Sequence, residues 1–276
     1  MAFDSSRRGF LLGAGAFGLA PARGEKTNNG GDDLKLAVAT YSLREFQRDL
    51  AIKTVKELNV RYVNVKEFHL PYNDTPKQLA AGVRQFQQAG LEIVGGGVVY
   101  MQKDEDADIR QYFDYAKVCG MPMMAIGPTA ETMPRIERFV KEYNIKVAIH
   151  NHGPEDKHFP TPQSALRVVK DMDPRCGLCI DAGHTARAGA DLVESIQEAG
   201  SRLFDMHIKD MITVARDSIC PVGEGVLPIV AILKQLKKMN YAGTVSLEYE
   251  TDADSPFTGM KASFAYMRGV LAGLRG

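Results

Sequence analysis

Residues 146–152 read Lys146-Val147-Ala148-Ile149-His150-Asn151-His152. Side chains alternate across a strand, so Val147 and Ile149 take one face and Ala148, His150 and His152 the other. Three further segments repeat the pattern. In 203–209, Phe204, Met206 and Ile208 alternate with Asp205, His207 and Lys209; in 244–250, Val245, Leu247 and Tyr249 alternate with Thr244, Ser246, Glu248 and Glu250. In 177–181, Leu178 and Ile180 alternate with Cys179 and Asp181. The apolar rows call for a covering layer of helices. The small and polar rows must then face the axis of a closed barrel. An open sheet with helices on both faces has no use for such rows. Applied to 61–67, the same rule sends Val63 and Val65 outward and turns Asn64 and Lys66 inward.

Outward from these four segments, short apolar strands alternate with amphipathic helices. Strands are expected at 35–40, 61–67, 91–98, 122–127, 146–151, 177–181, 203–209 and 243–249. Helices are expected at 46–58, 76–89, 105–118, 130–143, 161–171, 189–199, 227–239 and 259–272. Thr75-Pro76 and Thr161-Pro162 read as helix starts, an N-cap followed by proline at the first position. Gly90, Gly120, Gly200 and Gly243 fall near helix ends, where a left-handed residue is wanted. Eight βα units in one α/β chain predict a (β/α)8 TIM barrel as a single domain; a doubly wound open sheet is the alternative.

Composition narrows the function classes. Hydrophobic residues make up 45% and charged residues 25%, which excludes a disordered or collagen-like chain. Lys+Arg and Asp+Glu both number 34, so net charge is zero and nucleic acid is not an expected partner. No apolar run of 18 residues follows residue 30, so no membrane span is expected there. Cys119, Cys176, Cys179 and Cys220 show no framework spacing. Cys176-Gly177-Leu178-Cys179 matches C-x-x-C, but in a strand residues three apart point to opposite faces. Buried structural roles are therefore expected for this pair, not redox chemistry.

The N-terminus reads as an address. Ser6-Arg7-Arg8-Gly9-Phe10-Leu11-Leu12 leads into small apolar residues up to Ala20, then Pro21-Ala22. A charged region, a short apolar region and a small-residue cleavage site make a signal peptide over 1–22. The paired arginines resemble a twin-arginine (Tat) signal, which implies export to the periplasm. No cysteine follows the apolar stretch, so a lipoprotein anchor is not expected. Residues 23–33 are polar and read as a linker, leaving 34–276 as the barrel. Changing Arg7→Lys and Arg8→Lys together should strand the precursor in the cytoplasm; normal periplasmic processing of that variant would mean a signal of another kind.

The six histidines, His69, His150, His152, His158, His184 and His207, lie in or near C-terminal strand ends. TIM barrels keep their active sites at that face. The inward residues ending four successive strands are His150, Asp181, His207 and Glu248. Two imidazoles and two carboxylates converging on one point make a metal site. Without a cation, burying the two carboxylates together is costly. Candidate catalytic residues surround them. His152 follows His150 by two, Lys209 follows His207 by two, and Glu250 follows Glu248 by two. His184 lies one turn past Asp181, and Lys66 reaches in from the second strand. Gly223-Glu224-Gly225 either lets backbone approach a ligand or forms a surface turn.

The motifs Val147-Ala148-Ile149-His150-Asn151-His152, Ile180-Asp181-Ala182-Gly183-His184, Met206-His207-Ile208-Lys209-Asp210, Val222-Gly223-Glu224-Gly225 and Leu247-Glu248-Tyr249-Glu250 carry a resemblance. The chain resembles the xylose isomerase-like TIM-barrel superfamily, in its sugar phosphate isomerase/epimerase branch, over roughly 34–274. In that family a divalent ion is held by Glu, Asp, His and Glu from successive strand ends. Asp181, His207 and Glu248 match the last three, while the first position, usually Glu, is His150. In the ketose 3-epimerases the two metal-binding glutamates also move the proton, so His150 departs from that symmetrical scheme. It also adds a nitrogen ligand, which points to Mn²⁺ first, to Co²⁺ or Zn²⁺ as alternatives, and away from Mg²⁺.

The reaction the resemblance implies is metal-assisted enolisation of a keto-sugar or aldose. The base is His152, His184 or Glu250, with Lys66 or Lys209 steadying the enediolate or protonating a departing oxygen. Reprotonation gives epimerisation or isomerisation. Expulsion of a β-substituent instead cleaves a 3-keto-glycoside by elimination, as exported relatives do. The implied partner is a small-molecule sugar or glycoside, and a homodimer is compatible with the chain. Export and the lack of a phosphate-binding glycine loop argue against a phosphorylated sugar. The superfamily's endonucleases for abasic DNA need more metal ligands and a basic groove.

Overall fold

A computed structural model describes residues 34–275. The signal peptide and linker read at 1–22 and 23–33 lie outside the described residues. The strands are β1 (Lys35–Ala39), β2 (Tyr62–Val65), β3 (Glu92–Val99), β4 (Met123–Ile126), β5 (Lys146–His150), β6 (Cys176–Asp181), β7 (Leu203–Ile208), β8 (Asp210–Met211), β9 (Ile219–Cys220) and β10 (Thr244–Leu247). Eight of them close a parallel barrel in the order β1-β10-β7-β6-β5-β4-β3-β2. The helices are α1 (Arg48–Glu57), α2 (Pro76–Gln88), α3 (Asp106–Val118), α4 (Met133–Tyr143), α5 (Pro162–Val169), α6 (Ala182–Arg187), α7 (Leu192–Ala199), α8 (Ile229–Lys238) and α9 (Phe257–Gly273). The fold is the expected (β/α)8 barrel, and the open-sheet alternative falls away.

The strand alternation partitions as the sequence demands. Val147, Ile149, Leu178, Ile180, Met206, Ile208, Val245 and Leu247 join one apolar core between strands and helices. Inside the barrel, Met123, Ala125, Ala148 and Cys179 form a separate small cluster. Cys176 belongs to the outer core and Cys179 to the inner cluster, and both are free thiols, as opposite faces of β6 require. Thr75 and Thr161 cap α2 and α5 by accepting from the N–H groups of Gln78 and Ser164, with proline at the helix start.

Three local readings change. After α8 the left-handed residue is Asn240 (φ 51°), not Gly243. Gly243 is needed for close approach instead, because a Cβ there would lie 2.3 Å from the Phe204 carbonyl oxygen. The segment 189–199 holds only α7; the six-residue α6 precedes it and follows β6 directly, with Asp181 as its N-cap. The long loop after β7 carries the antiparallel hairpin of β8 and β9.

Candidate metal centre

Register brings the expected ligands together. Asp181 on β6 pairs with His207 on β7, and Ser246 on β10 also pairs with His207. Glu248 stands one inward step beyond Ser246, and His150 ends β5. Ligand atoms of His150, Asp181, His207 and Glu248 all lie within 4.8 Å of one another, and all four residues are buried. His150 Nε2 is 3.0 Å from His207 Nδ1 and 3.6 Å from Asp181 Oδ2, while His207 Nδ1 is 3.3 Å from Glu248 Oε2. Two nitrogens and two carboxylates at this spacing suit a divalent transition metal.

The protonation states also suit ligation of a cation. Burial, with His152 alongside, pushes His150 well below the ordinary histidine value, so the ring is neutral and able to ligate. Burial favours the protonated carboxyls of Asp181 and Glu248. Lys209 beside Asp181, and Lys66, His207 and Lys209 around Glu248, outweigh it and hold both well below the usual carboxylate range. Lys66 Nζ lies 3.1 Å from Glu248 Oε1, and Lys209 Nζ 3.1 Å from Glu248 Oε2. Lys209 also lies 2.9 Å from Asp181 Oδ2, at an angle too poor for a hydrogen bond, so this oxygen keeps hydrogen-bonding capacity. Cys179 Sγ lies within 4.8 Å of nitrogens of His150 and His207, and burial holds its thiol well above the ordinary cysteine value.

A cleft of about 530 Å³ opens over this centre, lined by His152, His184, Lys209 and Glu250 among others. That volume suits a small ligand. His152 stands between Asp156, 3.4 Å from Nδ1, and the Tyr100 hydroxyl, 3.3 Å from Nε2. Its ring lies 4.4 Å from that of His150. His184 Nδ1 faces Arg187 at 3.1 Å, and burial, only partly offset by Asp181, keeps this ring below the ordinary histidine value. Lys209 is paired with Glu250 as well as with the two ligand carboxylates. Burial works against the Lys209 ammonium, but these three carboxylates hold it well above the ordinary lysine value.

Two histidines stay apart from the centre. His69 is buried against Thr40 Oγ1 and the Phe46 carbonyl, and His158 is exposed in the loop after β5. Sequence reading also gave no role to Tyr41, Arg44 or Arg187, which line the cleft. Tyr41 and Arg44 follow β1, where no strand period marks them.

The Gly223-Glu224-Gly225 segment is a surface turn, and Asp210 holds it. Asp210 Oδ2 accepts from the N–H groups of Gly223 and Gly225 at 2.9 and 3.2 Å, and Oδ1 accepts from Met211 and Leu227 at 2.9 and 3.0 Å. A Cβ on Gly225 would lie 2.2 Å from Asp210 Oδ1. Asp210 thus ties the β7–α8 loop, and the hairpin lining the cleft, to the barrel. Asp210→Ala should cost roughly 3 kcal/mol, because it leaves several N–H groups without a partner. An unchanged urea midpoint would refute this role.

A closed (β/α)8 barrel with a buried N/O ligand set at the C-terminal strand ends defines a metal-competent TIM barrel. The sequence profile of the xylose isomerase-like TIM barrel family matches residues 52–270, and the chain belongs to that family. It is 31% identical over 129 residues to an uncharacterized protein of Methanocaldococcus jannaschii, covering 45% of this chain and 43% of that protein. The chain matches less than half the length of its curated relatives, 43% and 46%. Among solved structures, the IolI protein with a bound zinc atom superposes with a TM-score of 0.74 at 17% identity, covering 87% of this chain and 99% of that one. D-psicose 3-epimerase with D-tagatose, from Clostridium cellulolyticum H10, gives 0.68 at 15% identity, covering 86% and 99%. At these identities the likeness is one of fold. Among the described residues no helix is long and apolar enough to cross a membrane.

Proposed function

We propose that this protein is a divalent-metal-dependent sugar isomerase or epimerase that works by enolisation of a keto-sugar or aldose. The observation that carries the reading is the buried cluster of His150, Asp181, His207 and Glu248 beneath a sugar-sized cleft. These four residues would hold the ion, with Mn²⁺ first, Zn²⁺ or Co²⁺ next and Mg²⁺ disfavoured. When bound, the ion supplies Lewis-acid polarisation of a carbonyl, which acidifies the neighbouring C–H. That the superposed structures include a zinc-bound protein and a ketose epimerase agrees with this.

His152 is the base the geometry favours over His184 and Glu250. Asp156 orients its ring, and the ring faces the cleft beside a ligand. Lys209 supplies the positive charge at the developing enediolate, and Lys66 holds Glu248 in place from below. We also propose that the Arg7-Arg8 pair directs export, so that the substrate is met outside the cytoplasm.

A second reading has a specific observation behind it. Both oxygens of Glu248 are engaged by lysines, and His150 replaces the family's other glutamate. No free glutamate pair is therefore left to exchange protons symmetrically. A single base with an ammonium nearby also suits elimination. The base takes the α proton of a 3-keto-glycoside, the C–H electrons form C=C, the glycosidic C–O bond breaks with its electrons on the aglycone oxygen, and that oxygen takes a proton from Lys209. Incubation with Mn²⁺ and panels of ketoses, aldoses and 3-keto-glycosides in D₂O separates the two by product NMR. Deuterium at a carbon next to the carbonyl, in a rearranged sugar, supports isomerisation or epimerisation. An unsaturated keto-sugar and a free aglycone support elimination. Absence of exchange and of product across all panels would reject both.

A further inference from the structure

We propose that Asp205 is a positioning residue that fixes the ring tautomer of His207 and so sets the affinity of the centre for its ion. Asp205 sits two residues before His207 on β7, so both point inward. Its carboxylate is fully buried. Oδ1 accepts from Thr244 Oγ1 at 2.8 Å, Ser246 Oγ at 2.9 Å and the Met206 N–H at 2.9 Å. Oδ2 accepts from Asn64 Nδ2 at 2.8 Å. Strands β2, β7 and β10 thus meet on one side chain, which cannot swing.

A buried carboxylate calls for donors or a positive charge around it. Among the described residues, the only cationic or imidazole group recorded in ion-pair range of Asp205 is His207, whose Nε2 lies 3.7 Å from Oδ2. That nitrogen is buried and has no hydrogen-bond partner. The opposite nitrogen, Nδ1, faces His150, Glu248 and the ligand cluster. An imidazole that offers a lone pair at Nδ1 must carry its proton at Nε2. The carboxylate beside Nε2 favours that proton placement, and it strengthens Nδ1 as a donor to a cation. The contact is longer than a hydrogen bond, and the proposal requires it to tighten toward ~3.0 Å once the ring is polarised.

The inference rests on the metal reading above, and the test keeps the two failures apart. Zn²⁺ affinity is measured by chelator competition for the wild type, Asp205→Asn and Ser246→Ala. The Asn side chain keeps an oxygen for Thr244 and Ser246 but turns an N–H toward His207. Its affinity should fall about 10–100-fold, as for other lost outer partners of a metal-bound histidine. Ser246→Ala removes one bond holding Asp205 in place yet leaves the carboxylate facing His207, so it should lose stability and keep Zn²⁺ affinity within about twofold. Equal affinity in the wild type and Asp205→Asn overturns the proposal, as does an equal loss in both variants, which marks a merely structural role. No Zn²⁺ uptake by the wild type defeats the metal reading instead. Should Asp205→Asn not fold, ¹⁵N-histidine NMR of the metal-free wild type decides: a proton on Nε2 of His207 supports the proposal, and a proton on Nδ1 overturns it.

Discussion

Asp181→Ala should empty the centre of its ion and abolish turnover. Asp181 is fully buried at the end of β6 and is one of only two carboxylates in the ligand cluster. Loss of a direct ligand should weaken binding by more than about 100-fold, beyond the effect of losing an outer partner. The same side chain caps α6, its Oδ1 accepting from the His184 N–H at 2.7 Å. Alanine therefore also removes a helix cap, at about 1 kcal/mol. Asp181→Asn separates the two effects, because its amide oxygen still caps α6 while the site loses a negative charge. Both variants should bind far less metal, and only the alanine should lose the cap. Elemental analysis giving one ion per chain in both would sink the ligand assignment. Glu248→Ala should also lose the ion, and it additionally leaves Lys66 and Lys209 without their shared carboxylate.

The barrel was legible because four strands carry two readable rows each. An apolar row marks the helix layer, and a small or polar row can only face an axis. That logic placed Asn64 and Lys66 as well, and Asn64 does reach Asp205 across the interior. The convergence of His150, Asp181, His207 and Glu248 was legible for the same reason, since strand period and strand end together fix direction and height, while His184 followed from helical spacing past Asp181. What was illegible had no period. Helix α6 is too short to show an amphipathic stripe, and β8 and β9 are two residues each. Asp205 lay in the inward row, but its partners come from positions up to 141 residues away, and no local pattern announces such a contact. Asp210 likewise reads as the end of a motif, and only the folded loop shows that its carboxylate holds the backbone of Gly223 and Gly225. Gly243 misled for a related reason, since a glycine near a helix end signals a left-handed turn and a tight approach equally well.

His150→Glu should keep the ion and change its identity and its use. His150 stands where the family's first ligand is usually Glu, and in this chain its Nε2 lies 3.0 Å from His207 Nδ1 at the ligand cluster. A carboxylate there can ligate the same metals. It removes one of two nitrogens, so selectivity for Zn²⁺ over Mg²⁺ should narrow. It also places a third carboxylate beside Asp181 and Glu248. The ion-free protein is then less stable, and added metal should raise its melting temperature by more than it raises that of the wild type. Turnover of the natural substrate should fall, because the added negative charge weakens the pull of the ion on a carbonyl. Comparing Zn²⁺ and Mg²⁺ affinities of the two proteins checks the first claim, and an unchanged ratio would contradict it. A metal-bound structure is the sharper test, since a Zn–N bond is about 2.0–2.1 Å long. An ion more than about 3 Å from His150 would remove it from the ligand set. His150 would then be a buried neutral imidazole beside His152, a second candidate base, and the choice between proton exchange on two faces and elimination from one would have to be made again.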